Sequence, residues 1–212
     1  MASIYLVRHG TTDWNQGEIF RGRLDIKLNE MGRTEAKAVA SAFQNVDLTT
    51  VFSSPLSRAM ETAQAIAETK GLEVKPDPAF VDLNFGDWQG LPVERVKQEY
   101  PDLYRLWTER PQEVAFPGGE TLAQARERAW EGFLRLFREH EEKTILIVSH
   151  RVITKLLICT VLGLDESHFW QIKQEATAIN RIDFLRGRFV ASLINDTCHL
   201  ESIPLATRGK DF

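Results

Sequence analysis

Residues 144–148 read T-I-L-I-V and lead directly into Ser149, His150 and Arg151, while residues 4–7, I-Y-L-V, lead into Arg8 and His9. The run at 144–148 has no polar residue after Thr144, so a strand built from it buries both faces, as in a parallel sheet covered by helices on each side. Such sheets offer their ligand-binding groups at the carboxyl ends of the strands. A lone histidine is ordinarily a hydrogen-bonded or surface residue. Two histidines that each close a strand of this kind reverse that expectation, because the two strand ends can lie side by side.

The remaining pattern alternates strands and helices. Asn29 is an N-cap for a helix through residue 43, with Ala36, Val39, Ala40 and Phe43 on its apolar face. Residues 51–53 read as a strand. Ser54 then reads as a cap with Pro55 at the first helical position, opening a helix to about residue 69 that Gly71 ends, with a short strand near Val74. Residues 85–120 hold prolines and glycines around two short helical pieces, which reads as a lid or insertion. Thr121 opens a long amphipathic helix to about His140, residues 151–162 form another helix, and alternating strands at 178–185 and 189–194 meet at Arg186-Gly187-Arg188. The expected fold is α/β, a three-layer αβα sandwich with a mostly parallel central sheet and a lid-like helical insertion, in one domain spanning residues 1–212.

Composition narrows the classes. Hydrophobic residues make up 43% and charged residues 26% of the 212, the balance of a globular chain. No stretch approaches the roughly 18 apolar residues of a membrane span, and the N-terminus lacks the basic start and apolar segment of a signal peptide, so the expected location is cytoplasmic. Cys159 and Cys198 are too few for a disulfide framework and read as small apolar fillers. The net charge of −4 and the lack of a basic stripe argue against nucleic acid as a partner. An anionic ligand would need a locally positive pocket.

Arg8 precedes His9, and Arg58 lies early in the helix after Ser54, within reach of the same sheet edge. Guanidinium forks match phosphate oxygens bidentately, and two arginines with two histidines around one point are costly without a multivalent anion. The cluster therefore points to phosphoryl transfer through a covalent histidine intermediate, with no metal and no cofactor. A departing alkoxide needs a proton, and Asp82 is a candidate donor.

The stretches Y-L-V-R-H-G-T-T-D-W-N, S-S-P-L-S-R-A-M-E-T-A, L-N-F-G-D-W-Q-G, G-G-E-T and I-V-S-H, in this order over residues 3–200, resemble the histidine phosphatase superfamily, the phosphoglycerate mutase-like group. The resemblance implies that His9 is the phosphorylated nucleophile and that Arg8, Arg58 and His150 bind the phosphoryl oxygens. It implies that Asn15 helps hold that group, that Thr11 and Gly22 line the pocket, and that Asp82 is the general acid. The string N-D-T-C-H-L and the segment V-E-R-V-K-Q-E-Y-P-D are similar to the superfamily's metal-independent phosphoserine phosphatases, in which a late histidine, here His199, helps bind substrate. Glycolytic mutases carry a longer, more basic segment in the lid, so hydrolysis is expected over mutase action.

Three positions depart from the family pattern. Asp82 stands where this branch usually has glutamate, one methylene longer, which shifts the carboxyl by about 1.5 Å. Arg21 stands where glutamine commonly precedes the glycine; it either adds a cation for an acidic substrate or is a solvated loop arginine. Arg151 follows the second histidine where glycine is usual. His140 reads as a surface residue favoured by a helix C-terminus, and His168 as part of a helix start. Trp88, Tyr104 and Trp107 read as core of the insertion. Neither cysteine has the arginine spacing of a cysteine phosphatase, and D-x-D, the P-loop pattern and G-x-S-x-G do not occur. The expectation is thus a phosphomonoester hydrolase acting on a small-molecule substrate, L-phosphoserine first and serving serine biosynthesis, with no membrane partner and with a homodimer allowed for. The alternatives are a broad-specificity phosphatase, a mutase, or a weakly active domain that binds a phosphorylated ligand.

Overall fold

A computed structural model describes residues 2–203 of the chain. The elements are β1 (Ser3–Arg8), α1 (Asp13–Gln16), α2 (Glu30–Ala42), β2 (Thr50–Ser53), α3 (Ser57–Glu68), β3 (Val74–Pro76), α4 (Val93–Glu99), α5 (Pro101–Glu109), α6 (Leu122–Glu139), β4 (Thr144–Ser149), α7 (Arg151–Val161), β5 (Ile179–Leu185) and β6 (Arg188–Asp196). Among the described residues six strands form one sheet in the order β3-β2-β4-β1-β5-β6. The first four run parallel to one another, and β5 and β6 extend the sheet antiparallel. The turn between β5 and β6 has two left-handed residues, Arg186 at φ 51° and Gly187 at φ 78°, the conformation that matches the twist of a tight hairpin.

Strand β4 explains the apolar run. Ile145 and Ile147 enter a core shared with α6 and α7, while Leu146 and Val148 enter a second core under α2 and α3. With neither face wet, residues 145–148 of the strand have no position for a polar side chain. The insertion is built into the first of these cores: Phe85, Trp88, Val96, Trp107 and Phe116 cluster with Phe133, Ile147 and Leu156. Trp88 and Trp107 are fully buried, and the partly buried Tyr104 packs with its ring centroid 6.3 Å from that of Trp88. Helix starts follow the capping chemistry: Asn29 accepts from Gly32 N at 2.9 Å, and Thr121 forms a capping box with Gln124.

Two sequence expectations need correction. Helix α3 begins at Ser57 rather than at Pro55, and Leu56 before it is extended. The first helical N–H is satisfied by a distant carboxylate rather than by Ser54. Asp25 accepts from both Ser57 N and Ser57 Oγ at 2.7 Å. Ser54 Oγ accepts instead from Leu56 N at 3.3 Å, ahead of the helix, and takes a second partner described below. Cys159 is buried as a filler, whereas Cys198 is exposed, because it lies in the polar turn after β6.

The register sets the position of the site. In the β1–β4 pair Val7 faces Val148 and Arg8 faces Ser149, so His9 and His150 leave the sheet as neighbours. In the β2–β4 pair Ser53 faces Val148, which brings Ser54 level with the same edge. The loop after β1 rests backbone-to-backbone on the first turn of α2. A Cβ on Gly32 would stand 2.0 Å from Thr11 O, and one on Gly10 2.6 Å from Gly32 O.

Gly32→Ala should therefore displace the loop and cost about 2–3 kcal/mol. Gly71→Ala, at φ 64° with open space around the missing Cβ, should cost only about 1 kcal/mol. Chemical denaturation of both variants checks this, and equal losses would show that the close approach at Gly32 does not constrain the loop.

Candidate active site

His9 and His150 lie with ring centroids 5.1 Å apart and are buried. His9 Nδ1 pairs with its neighbour's carbonyl, Gly10 O, at 2.7 Å, and Arg58 Nε lies 3.3 Å from His9 Nε2. A carbonyl only accepts and a guanidinium N–H only donates. The tautomer that satisfies both carries hydrogen on Nδ1 and a lone pair on Nε2, the arrangement a nitrogen nucleophile requires.

Arg58 is fixed at several points. It is in the first turn of α3, and its fork donates to Leu24 O at 2.9 Å and Gly22 O at 2.7 Å. Nη2 also reaches Asp82 Oδ2 at 3.3 Å. Gly22 lines the cleft and has φ 51°, and a Cβ there would strike Gln89 Oε1 at 2.3 Å, so only glycine lets the carbonyl turn toward Arg58. Arg8 is buried and sends Nη1 to Gln174 O at 2.7 Å.

His150 is held by Ser54, whose Oγ lies 2.7 Å from Nε2, while its Nδ1 stands 3.7 Å from Asp82 Oδ2. The shorter carboxylate at position 82 thus does reach the cluster. Two further bonds hold the Asp82 segment: Leu83 N donates to Oδ1 at 3.0 Å, and Arg23 Nε lies 3.4 Å from Asp82 O. Behind them stands Glu120 of the G-G-E-T stretch. It accepts from Arg23, from Arg128 and from Asn84 N, and these three donors hold its carboxyl below the usual range although burial opposes them. Gly86 and Gly119 let the two segments interlock, since a Cβ on Gly86 would stand 1.9 Å from Pro117 O.

The loop residues have structural anchors. Thr11 gives both N–H and Oγ to the buried carboxylate of Glu35, at 2.7 and 3.0 Å. Asn15 Oδ1 accepts from Thr12 N and Thr12 Oγ1, so the amide nitrogen is its donor end. Arg21 is buried in the cleft wall and is not a solvated loop arginine. The cleft is lined by His9, Asp82, Arg21, Gly22 and Arg151, with Ile19, Phe20, Phe85 and Val152 as its apolar part. His199 is not on that wall; its Nε2 lies 3.1 Å from Thr177 Oγ1, and Thr177 N in turn reaches His9 O. His140 caps α6 with Nδ1 on Leu136 O, and His168 pairs with Asp165, both away from the cleft.

Sequence reasoning missed Ser54, Glu35 and Glu120. Serine before proline is the signal of a helix cap, which hides the contact of Ser54 with His150. Glu35 follows Gly32 by three residues, and its one signal is an acidic residue beside Ala36 on an otherwise apolar helix face. Glu120 sits in a quoted motif with no role attached.

Burial lowers the pKa of His9 well below the ordinary imidazole value, and the charges of Arg58, Arg8 and Arg21 lower it further. His150 is lowered by burial first and then by Arg58, His9, Arg21 and Arg8. Both rings are therefore neutral near pH 7, and His9 keeps its lone pair.

Stability should respond accordingly. Unfolded imidazoles take up protons below about pH 6.5, while these two do not, so the unfolded state binds more protons and stability falls as the medium becomes more acidic. Each ring contributes a slope of up to about 1.4 kcal/mol per pH unit. Denaturation midpoints at pH 7.5, 6.5 and 5.5 check this above the range where carboxylates titrate, and His150→Gln should flatten the slope. A midpoint constant over that span would contradict the assignment.

Residues 4–197 match the histidine phosphatase superfamily (branch 1). The chain is 38% identical over 201 residues to phosphoserine phosphatase 1 of Hydrogenobacter thermophilus, covering 94% of this chain and 95% of that protein. It is similar in structure to YhfR of Bacillus stearothermophilus, with a TM-score of 0.91 at 27% identity, covering 95% of this chain and all of the other. It is also similar to a phosphoserine phosphatase mutant from Entamoeba histolytica in complex with phosphoserine, with a TM-score of 0.86 at 28% identity over 94% of this chain and 100% of that one. With its site residues on this fold and its match running almost end to end, the chain belongs to the histidine phosphatase superfamily and is a phosphatase.

Proposed function

We propose that the protein hydrolyses small phosphomonoesters through a phosphohistidine, with L-phosphoserine as the leading substrate. The observation that carries the reading is His9 Nε2 facing Arg58, with Asp82 within 3.3 Å of the same guanidinium and within 3.7 Å of His150 Nδ1. Nucleophile, anion clamp and proton donor thus share one buried point. The phosphoserine reading is supported by the 38% identity to a phosphoserine phosphatase and by the similarity to one that binds phosphoserine.

In the first step His9 Nε2 attacks phosphorus and forms the N–P bond as the P–O bond to the alcohol breaks. Asp82 gives its proton to the departing alkoxide. Arg8, Arg58 and His150, with the amide of Asn15, hold the equatorial oxygens, where transition-state charge accumulates. In the second step a water attacks phosphorus, returns a proton to Asp82 and breaks the N–P bond, releasing phosphate. Thr11 acts through Glu35 on the shape of the loop, and His199 acts through Thr177 on the backbone of His9. A cytoplasmic setting, a homodimer and a role in serine supply belong to the same proposal.

Rapid-quench labelling should trap an acid-labile phosphoenzyme with the wild type, and His9→Ala should form none and lose about 10⁴-fold or more in turnover. Absence of label in the wild type would end the hydrolase reading. Asp82→Asn should slow phosphoenzyme formation from alkyl esters by about 10²–10⁴-fold. From nitrophenyl phosphate, whose leaving group needs little protonation, it should lose less than about tenfold. Equal losses on both would take the acid role away from Asp82.

A further inference from the structure

Of the site residues discussed above, the cleft is lined by His9, Asp82, Arg21 and Gly22; Arg8, Arg58 and His150 are not on its wall. This division places the leaving group. The bridging oxygen must lie between phosphorus on His9 Nε2 and the proton on Asp82, so the rest of the alcohol extends into the space those two residues share. What else lines that space selects the alcohol. Four walls are apolar, Ile19, Phe20, Phe85 and Val152, and the remaining side chains are two arginines, Arg21 and Arg151.

Both arginines are built into the protein. Arg21 is 8% and Arg151 9% exposed. Arg151 is the first residue of α7, immediately after His150, and its guanidinium carbon lies 5.9 Å from the Trp170 ring. One turn further along α7, buried Lys155 holds Nζ 4.5 Å from the Phe169 ring and 4.7 Å from that of Trp170. The aromatic pair thus carries two successive cationic stems on α7. The planar guanidinium fork suits a carboxylate, and its fixed shape reads that group better than a point charge does.

We propose that Arg21 and Arg151 form a carboxylate clamp for the leaving group, so that the enzyme selects phosphorylated short hydroxy acids over phosphate esters of neutral or purely cationic alcohols. The inference rests on the phosphatase reading and names the residues that set its specificity. The clamp shares its cleft with both His9 and Asp82, so it meets the alcohol that leaves toward Asp82, while the phosphoryl oxygens remain with Arg8 and Arg58.

The test compares kcat/KM for O-phospho-L-serine and for phosphoethanolamine, the same ester without the carboxylate. The wild type should favour phosphoserine by at least about tenfold, and Arg151→Leu and Arg21→Leu should each reduce that ratio by about tenfold, chiefly through a raised KM for phosphoserine. Arg151→Lys, which keeps the charge and loses the fork, should recover part of the ratio; it also serves as the second variant if Arg151→Leu fails to fold. A smaller wild-type preference, or equal proportional losses on the two esters in the variants, overturns the clamp. Labelling of the wild type with nitrophenyl phosphate separates the two proposals. No phosphoenzyme would strike at the hydrolase reading, whereas a phosphoenzyme without carboxylate preference would strike at the clamp alone.

Discussion

The parallel pairing of β1 with β4 is the constraint from which the rest follows. Main-chain hydrogen bonds, indifferent to the chemistry of the site, set Arg8 against Ser149 and so deliver two histidines to one sheet edge. A slip of one residue would send every side chain of β4 to the opposite face. Because both faces are apolar, Ile145 and Ile147 in one core and Leu146 and Val148 in the other, side-chain packing and the buried bond from Ser149 Oγ to Phe80 O at the strand's end hold the register that sets His9 beside His150.

Around that register the protein assembles positive charge in a place where charge is expensive. Arg8 and Arg58 are fully buried, with Arg21 and Arg151 close to it. Asp82 is the carboxylate that reaches Arg58, and the carbonyls of Gly22 and Leu24 supply further acceptors. Burial and these cations keep both imidazoles neutral, which lowers the electrostatic cost and leaves His9 its lone pair. Under the proposed function, a dianionic phosphoryl group would meet donors already in place, which is the physical basis of electrostatic preorganisation.

The frame that holds these donors is polar and mostly remote in sequence. Glu35 ties down the loop after His9, Asp25 caps the helix that carries Arg58, and Glu120 braces the segment that carries Asp82. Each carboxylate holds a backbone N–H within two residues of His9, Arg58 or Asp82, and charged acceptors make the stronger hydrogen bonds. Close glycine contacts at Gly32 and Gly86 fix the same segments by exclusion, since no side chain fits between them.

Much of this was legible in the chain itself. The apolar run at 144–148, the Asn29 and Thr121 caps and the punctuated segment at 85–120 each state a local preference, and local preferences survive folding where they agree with burial. Ser54 was misread because its local signal, serine before proline, is that of a helix cap, while the fold gives the cap to Asp25 and the hydroxyl to His150. By itself the sequence determined the strand ends, the helix faces and the residue types able to hold a phosphoryl group, because periodicity and capping act over a few residues. Only the tertiary structure decided which of those residues meet, that Arg21 and Arg151 line the cleft beside His9 and Asp82, and that Glu35 and Glu120 serve as braces. Contacts between segments tens of residues apart depend on how the sheet and its helices pack, which no local pattern encodes.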